Sequence, residues 1–179
     1  MKCLDIGCGK NKTSSCLGLD RVDLAGVDIV HDLDVFPWPF PDNDIDAIYS
    51  NHYLEHVKDI VGTLAEIHRI SKPGALIKLR VPHYASDNFN SDLTHKVRFG
   101  YRSFDHFASN GKVDYDFYEE FKFEIVSRRI KFMGPDVRFD PLKVFGFEAL
   151  VNAMPRIYER FFVYYFPSCE LNFELKVLK

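Results

Sequence analysis

The segment Leu4-Asp5-Ile6-Gly7-Cys8-Gly9 constrains the fold more than any other part of this chain. A short apolar strand runs directly into two glycines. In an open α/β sheet the carboxyl end of a first strand is where a nucleotide-like ligand sits, because side-chain-free positions let the ligand approach the backbone and backbone N–H groups face its polar atoms. The dinucleotide version of this turn needs a third glycine and an acidic residue about 20 positions on. Here Lys10, Asn11 and Lys12 follow, and the next strand-end acid, Asp20, comes only eleven residues after Gly9. The pyrophosphate signature therefore fails, while a nucleoside ligand without pyrophosphate remains compatible. Taken alone, the turn is equally at home as a purely structural element.

The rest of the first half alternates strand and helix signals. Residues 2–6, 16–20, 27–31 and 45–50 read as strands bounded by Gly, Pro and Asp. Ile60, Val61, Leu64, Ile67 and Ile70 follow helical spacing within a helix expected over 57–70, which Lys72-Pro73-Gly74 should end before a strand at 75–82. Such alternation implies a mostly parallel sheet. Residues 83–120 have no clean period and read as a long insertion on the substrate side, with one or two short helices such as 103–109. A strand is expected over 121–132, a helix over 141–162 interrupted at Pro155, and a closing strand over 170–178 with Leu171, Phe173, Leu175 and Val177 on one face.

Composition narrows the function. A chain of 179 residues suits a single domain over 1–179, and a net charge of −3 argues against a general nucleic-acid binder. Cys3, Cys8, Cys16 and Cys169 form no CxxC pair and no zinc-finger spacing, and Cys3 and Cys8 stand too close to staple anything useful. A reducing, cytoplasmic setting is expected on that basis, and because the first strand begins at residue 2 no signal peptide is expected. No apolar run reaches the roughly 18 residues a membrane span needs.

Two acids follow the glycine turn. Asp20, in Gly18-Leu19-Asp20-Arg21, stands at the expected end of the second strand, where a carboxylate can accept both ribose hydroxyl hydrogens; a solvated turn acid is the plainer alternative. Asp32, in Val30-His31-Asp32-Leu33-Asp34, offers an acceptor for an exocyclic amine beside the apolar Leu33, and Asp34 competes for that role. The longest informative stretch is Phe36-Pro37-Trp38-Pro39-Phe40-Pro41-Asp42-Asn43-Asp44-Ile45-Asp46-Ala47-Ile48-Tyr49-Ser50-Asn51-His52-Tyr53-Leu54-Glu55-His56-Val57. It resembles the string P-F-x-D-x-x-F-D-x-V-x-x-x-x-x-L-E-H of the class I S-adenosylmethionine-dependent methyltransferases, in their small type 11-like branch. Glu66 to Ala75 resembles that family's E-x-x-R-x-L-K-P-G-G string, with Ala75 for the second glycine. Asp92-Leu93-Thr94-His95-Lys96 resembles its D-P-T-H-K segment, with Leu93 for proline.

The resemblance covers most of the chain. It implies a Rossmann-like α/β fold with seven mainly parallel strands, an antiparallel last strand and helices on both faces. It implies S-adenosylmethionine as cofactor, held by Asp5, Gly7, Cys8, Gly9, Asp20, Arg21, Asp32, Leu33, Asn51 and His52. Asn51 and His52 would line the sulfonium region, Leu54 would pack in the core, and Glu55 would cap backbone N–H groups of the next helix. His83, at the end of the fifth strand, is the first candidate for a general base and His95 the second, since imidazole titrates near neutrality. Both could instead simply hold the irregular loop. His83, His95, Lys96, Arg98 and Arg102 concentrate positive charge in the insertion and suggest an anionic acceptor, such as a sugar nucleotide or phosphorylated glycan.

Three functions compete. The first is methyl transfer to a small molecule or glycan. The second is cofactor binding without turnover, as in an accessory subunit, which the short 9–20 connection keeps open. The third is a zinc hydrolase, because His52-Tyr53-Leu54-Glu55-His56 matches H-x-x-E-H; that motif needs both histidines on one helix, whereas His52 follows a strand directly. No metal is expected. The family's helices ahead of the first strand have no counterpart before Met1-Lys2, so an open pocket, a homo-oligomeric neighbour or the 83–120 insertion is expected to cover the site.

Overall fold

The computed structural model describes residues 1–112, 120–133 and 146–179. Seven strands form one sheet: β1 (Cys3–Ile6), β2 (Leu17–Asp20), β3 (Ile29–Val30), β4 (Ile45–Asn51), β5 (Ser71–Pro82), β6 (Lys122–Lys131) and β7 (Glu170–Leu178). Their order is β3-β2-β1-β4-β5-β7-β6. β1 through β5 pair in parallel, and β7 runs antiparallel to both β5 and β6. This is the Rossmann-like class I arrangement the sequence implied. The order reverses between β1 and β4, so the crevice of the sheet opens beyond the carboxyl ends of those two strands.

The core explains the pairing. Leu4, Ile6, Leu19, Ile45, Ile48, Ile77, Leu79 and Val81 are buried along the parallel strands, and β1 is buried at every position, as expected of a parallel strand covered on both faces. β7 alternates instead, burying Leu171, Phe173, Leu175 and Val177 as its sequence pattern requires.

α1 (Ile60–Ile70) starts three residues later than the periodicity suggested, because Asp59 caps it by accepting from Gly62 N at 2.9 Å. A separate 3₁₀ turn, Leu54–His56, precedes it. Pro73 and Gly74 do not form a loop. The chain leaves α1 straight into β5, and residues 72–75 bulge out of register between the Ile45–Ser71 and Ala47–Leu76 pairs, with Gly74 at φ +79°. Glu66 and Arg69 of α1 bind the proline-rich 36–42 stretch: Glu66 accepts from Trp38 N at 2.6 Å, and Arg69 reaches the Trp38 and Phe40 carbonyls.

Between β1 and β2 there is no helix. Lys12 pairs with Asp28 at 2.6 Å, and Asp28 also accepts from Gly18 N at 2.7 Å, so an ion pair shapes the short connection. A Cys3–Cys16 disulfide closes the same segment. The sequence reading weighed only Cys3 with Cys8 and did not see this pairing: the parallel pairing of β1 with β2 brings the starts of the two strands together, which linear spacing did not reveal. Cys8 and Cys169 are free.

The 83–120 insertion contains α2 (Asp87–Ser91) and a 3₁₀ turn at Asp105–Phe107; its residues 113–119 lie outside the described residues. Of the helix expected over 141–162, residues 141–145 lie outside them as well. The remainder forms α3 (Phe147–Ala153), a break at Met154, a short helix Pro155–Ile157 and a π turn Tyr158–Phe162. No described helix is long and apolar enough to cross a membrane.

Candidate active site

The carboxyl ends of β1, β2 and β4 surround a cleft of about 470 Å³. Gly7, Asp20, Arg21, Asp32, Leu33, His52 and Tyr53 are among the residues that line it. Six of the ten residues expected around a cofactor (Gly7, Asp20, Arg21, Asp32, Leu33 and His52) thus meet at one place.

Backbone geometry shapes the glycine turn beside the cleft. Gly7 and Gly9 adopt φ +64° and +52°, in the left-handed region that glycine enters without a Cβ penalty. Gly7 N donates to Leu19 O at 2.8 Å. The Asp20 carboxylate accepts from Gly9 N at 2.9 Å and from Val22 N at 3.1 Å. Asp20 therefore ties the glycine turn to the end of β2 while lining the cleft.

Asp5, Cys8, Gly9 and Asn51 do not line the cleft. Asp5 is buried beneath the turn and accepts from Thr13 N at 2.6 Å. Burial pushes its carboxyl above the usual range despite that bond. Burial likewise pushes the Cys8 thiol up to about 11, so it stays protonated. Gly9 turns its missing side chain into open space. Asn51 is exposed at the end of β4.

His52 lines the cleft and is held there by two carboxylates. It adopts φ +53°, which turns the chain back over the sheet. Its Nδ1 lies 3.1 Å from Glu55 Oε1 and its Nε2 3.1 Å from Glu170 Oε1. Glu170 in turn accepts two hydrogen bonds from Arg80, at 2.8 and 2.9 Å. The bond to Glu170, then that to Glu55, holds the His52 pKa at about 9, so His52 is an imidazolium at neutral pH. With both nitrogens engaged by carboxylates it is no metal ligand, and the H-x-x-E-H pattern does not assemble. Glu55 is correspondingly corrected: it is fully buried and meets His52 instead of capping backbone N–H groups. Leu54 is fully buried, as expected.

The two candidate bases are separated. His83 is fully buried. Its Nδ1 accepts from Ala85 N at 3.1 Å, which leaves Nε2–H to donate to Glu159 at 3.2 Å. Both nitrogens are engaged and His83 does not line the cleft, so the fold corrects this assignment: His83 holds the start of the insertion. His95 donates from Nδ1 to Phe89 O at 3.0 Å, leaving Nε2 as an acceptor. Its ring lies 4.6 Å from that of His56, which does line the cleft. Among the insertion's cations, Lys96 reaches the cleft and donates to His56 O at 2.9 Å; Arg102 is held by Asp105 at 2.7 Å, and Arg98 stacks on Phe89.

Sequence reasoning assigned no role to Tyr53 or Thr94, and counted Lys96 only among the charges of the insertion. Tyr53 is the most consequential. A Cβ built on Gly7 would fall 2.5 Å from Tyr53 Cβ and Cγ, so Gly7 is required by this ring as much as by any ligand. The Tyr53 hydroxyl is buried and has no hydrogen-bond partner among the described residues. Burial first, then the carboxylates of Asp34, Asp32 and Asp20, push its pKa well above the usual range. Tyr53 stood in plain view in the strand-end string, but nothing there signalled that a left-handed His52 would fold it over the glycine turn.

This geometry agrees with the comparisons. Residues 1–116 match the family described as "Methyltransferase domain". The chain is 26% identical over 148 residues to the demethylmenaquinone methyltransferase of Staphylococcus saprophyticus, covering 82% of this chain and 60% of that protein. It is 32% identical over 123 residues to cycloartenol-C-24-methyltransferase 1 of Oryza sativa subsp. japonica, covering 54% of this chain and 35% of that protein. Among solved structures it superposes with a TM-score of 0.61 on a chain of the Haloferax volcanii complex between the Trm112 methyltransferase activator and a methyltransferase, at 17% identity and covering 99% of this chain and 83% of that one. The chain belongs to the class I methyltransferase family, whose cofactor is S-adenosylmethionine. It spans less than two thirds of the length of these curated relatives.

Proposed function

We propose that the chain is an S-adenosylmethionine-dependent methyltransferase acting on a small-molecule or glycan acceptor. The observation that carries this reading is the meeting of Gly7, Asp20 and Asp32 in one cleft at the point where strand order reverses. Asp20 holds the ribose hydroxyls, Asp32 the adenine amine, and Leu33 the face of the ring. S-adenosylmethionine supplies a methyl group already activated by its sulfonium charge. The chain's task is therefore to position donor and acceptor and to keep water from the reaction. Named relatives act on a quinone precursor and a sterol, which supports a small-molecule acceptor. Lys96 at the cleft rim supports an acceptor with anionic character.

Cofactor binding without turnover is the second reading, and the engagement of both His83 nitrogens favours it. Calorimetry with S-adenosylhomocysteine tests the shared premise. Saturable binding lost in Asp20→Ala supports the cleft assignment, and no binding refutes it. Methyl release across quinol, sterol and sugar-nucleotide acceptors then separates turnover from binding alone.

A further inference from the structure

We propose a divalent transition-metal site, of the zinc class, formed by Glu55, His56 and His95 at the edge of the cleft. One donor atom from each of the three residues lies within 4.8 Å of the other two. Donors held about 2.0–2.2 Å from a tetrahedral ion stand roughly 3.3–3.6 Å apart, so side-chain movements on the order of 1 Å close the set. Glu55 is fully buried, and its Oε2 has no hydrogen-bond partner among the described residues. A buried carboxylate oxygen left without a donor is costly, and a bound cation removes that cost.

The imidazoles are already oriented for binding. His95 Nδ1–H donates to Phe89 O, which leaves its Nε2 lone pair 3.9 Å from Glu55 Oε1, the oxygen that also meets His52, and 3.6 Å from Asp92 Oδ2. The Thr94 hydroxyl donates to Asp92 Oδ1 at 2.7 Å and so accepts, at 2.9 Å, from His56 Nδ1–H. That leaves His56 Nε2 as the free donor. Ligating histidines characteristically have the second nitrogen fixed in this way by a carbonyl or a carboxylate-linked group. Two imidazoles and one carboxylate suit zinc-class ions better than calcium or magnesium. Asp92 adds a second negative charge beside the set, against the cations Lys96 and His52 on its other sides. His56 and Thr94 line the cleft, so an open coordination position there would face an acceptor oxygen. That use rests on the methyltransferase reading; the site itself does not.

The test is zinc uptake by the full chain after chelator treatment and dialysis, read by elemental analysis and by calorimetry with zinc alone, alongside S-adenosylhomocysteine binding as a separate measurement. One zinc per chain is expected, with uptake lost in His56→Ala and His95→Ala and retained in His31→Ala. Thr94→Val, which removes only the orienting hydroxyl, should weaken zinc binding by about 10–100-fold. Cobalt substitution should give the spectrum of nitrogen and oxygen ligands. The proposal is overturned if the parent chain takes up no stoichiometric zinc. It is equally overturned if folded His56→Ala keeps the zinc, or if cobalt shows thiolate charge-transfer bands that assign the ion to Cys8 or Cys169. Retained S-adenosylhomocysteine binding without zinc would overturn the metal site and leave the cofactor cleft standing.

Discussion

Replacing Tyr53 with phenylalanine removes one oxygen atom and leaves the ring that packs on Gly7. In the free protein that oxygen is buried without a partner among the described residues and stands among Asp20, Asp32 and Asp34. An unsatisfied buried hydroxyl costs about 1–3 kcal/mol. At the low end of that range, Tyr53→Phe stabilises the free chain by about 1 kcal/mol, which raises Tm by roughly 2–4 °C for a chain of this size. The ligand-bound protein responds in the opposite direction. If a polar atom of the adenosyl ligand satisfies the hydroxyl, its removal forfeits one neutral hydrogen bond, worth about 1 kcal/mol, and weakens binding about fivefold. The assay is thermal unfolding of both proteins with and without S-adenosylhomocysteine, with calorimetric Kd values. A higher Tm for the free variant together with a smaller ligand-induced shift is expected. A lower Tm for free Tyr53→Phe with unchanged Kd would show that the hydroxyl is partnered within the protein, and would refute the reasoning.

Asp20→Ala removes the carboxylate that holds Gly9 N and lines the cleft; loss of a charged hydrogen bond of about 1.5–3 kcal/mol weakens S-adenosylhomocysteine binding by roughly 10–150-fold, while exposed Asp23→Ala leaves the calorimetric Kd unchanged. Asp105→Asn breaks a buried carboxylate paired with Arg102 and Arg128, and the urea midpoint should fall by the equivalent of about 3 kcal/mol, the low end for a buried pair because Arg102 is partly exposed. Burial pushes the Asp105 carboxyl up, but Arg102 and Arg128 overcome it and leave the pKa below its usual range. The pair's contribution is therefore present above the unfolded-state value of about 3.9 and lost as pH falls through the folded one, so acid unfolding should be shallower in Asp105→Asn. Reducing Cys3–Cys16 opens a loop of sequence separation 13 and should lower stability by about 3 kcal/mol, read as a lower urea midpoint in dithiothreitol, with Cys16→Ser insensitive to the reductant.

What could be read from the chain, and what could not, divides along a physical line. Strand identity was legible because a buried parallel strand such as Cys3–Ile6 is largely apolar, Asp5 being its one polar residue, and because β7 alternates with period two. The strand-end acids were legible because position in a strand fixes where a side chain emerges, so Asp20 and Asp32 fell at the cleft. The histidines were not legible. A histidine's role depends on which groups reach its two nitrogens, and those came from residues far away in sequence: Glu170 for His52, and Glu159 for His83. The Cys3–Cys16 link was missed for the same reason, since it depends on the β1–β2 register and not on spacing.

The engagement of His83 changes where acceptor chemistry must be sought. His83 donates one hydrogen bond to the Glu159 carboxylate and accepts another from Ala85 N–H, and it does not line the cleft. His52, already an imidazolium near neutrality, has no lone pair to offer. Among the described histidines that line or border the cleft, His56 and His95 alone present free nitrogens toward one another, beside an unpartnered buried carboxylate oxygen. If an acceptor hydroxyl loses its proton in this cleft, the geometry favours assistance from that side, with Thr94 and Lys96, which keeps the second sequence candidate, His95, over the first, His83 at the end of β5. Substituting His83 should therefore show up in stability before it shows up in turnover. His83→Gln should lower the urea midpoint, yet change kcat less than His56→Gln does at equal folded fraction. The reverse order would return the base to β5.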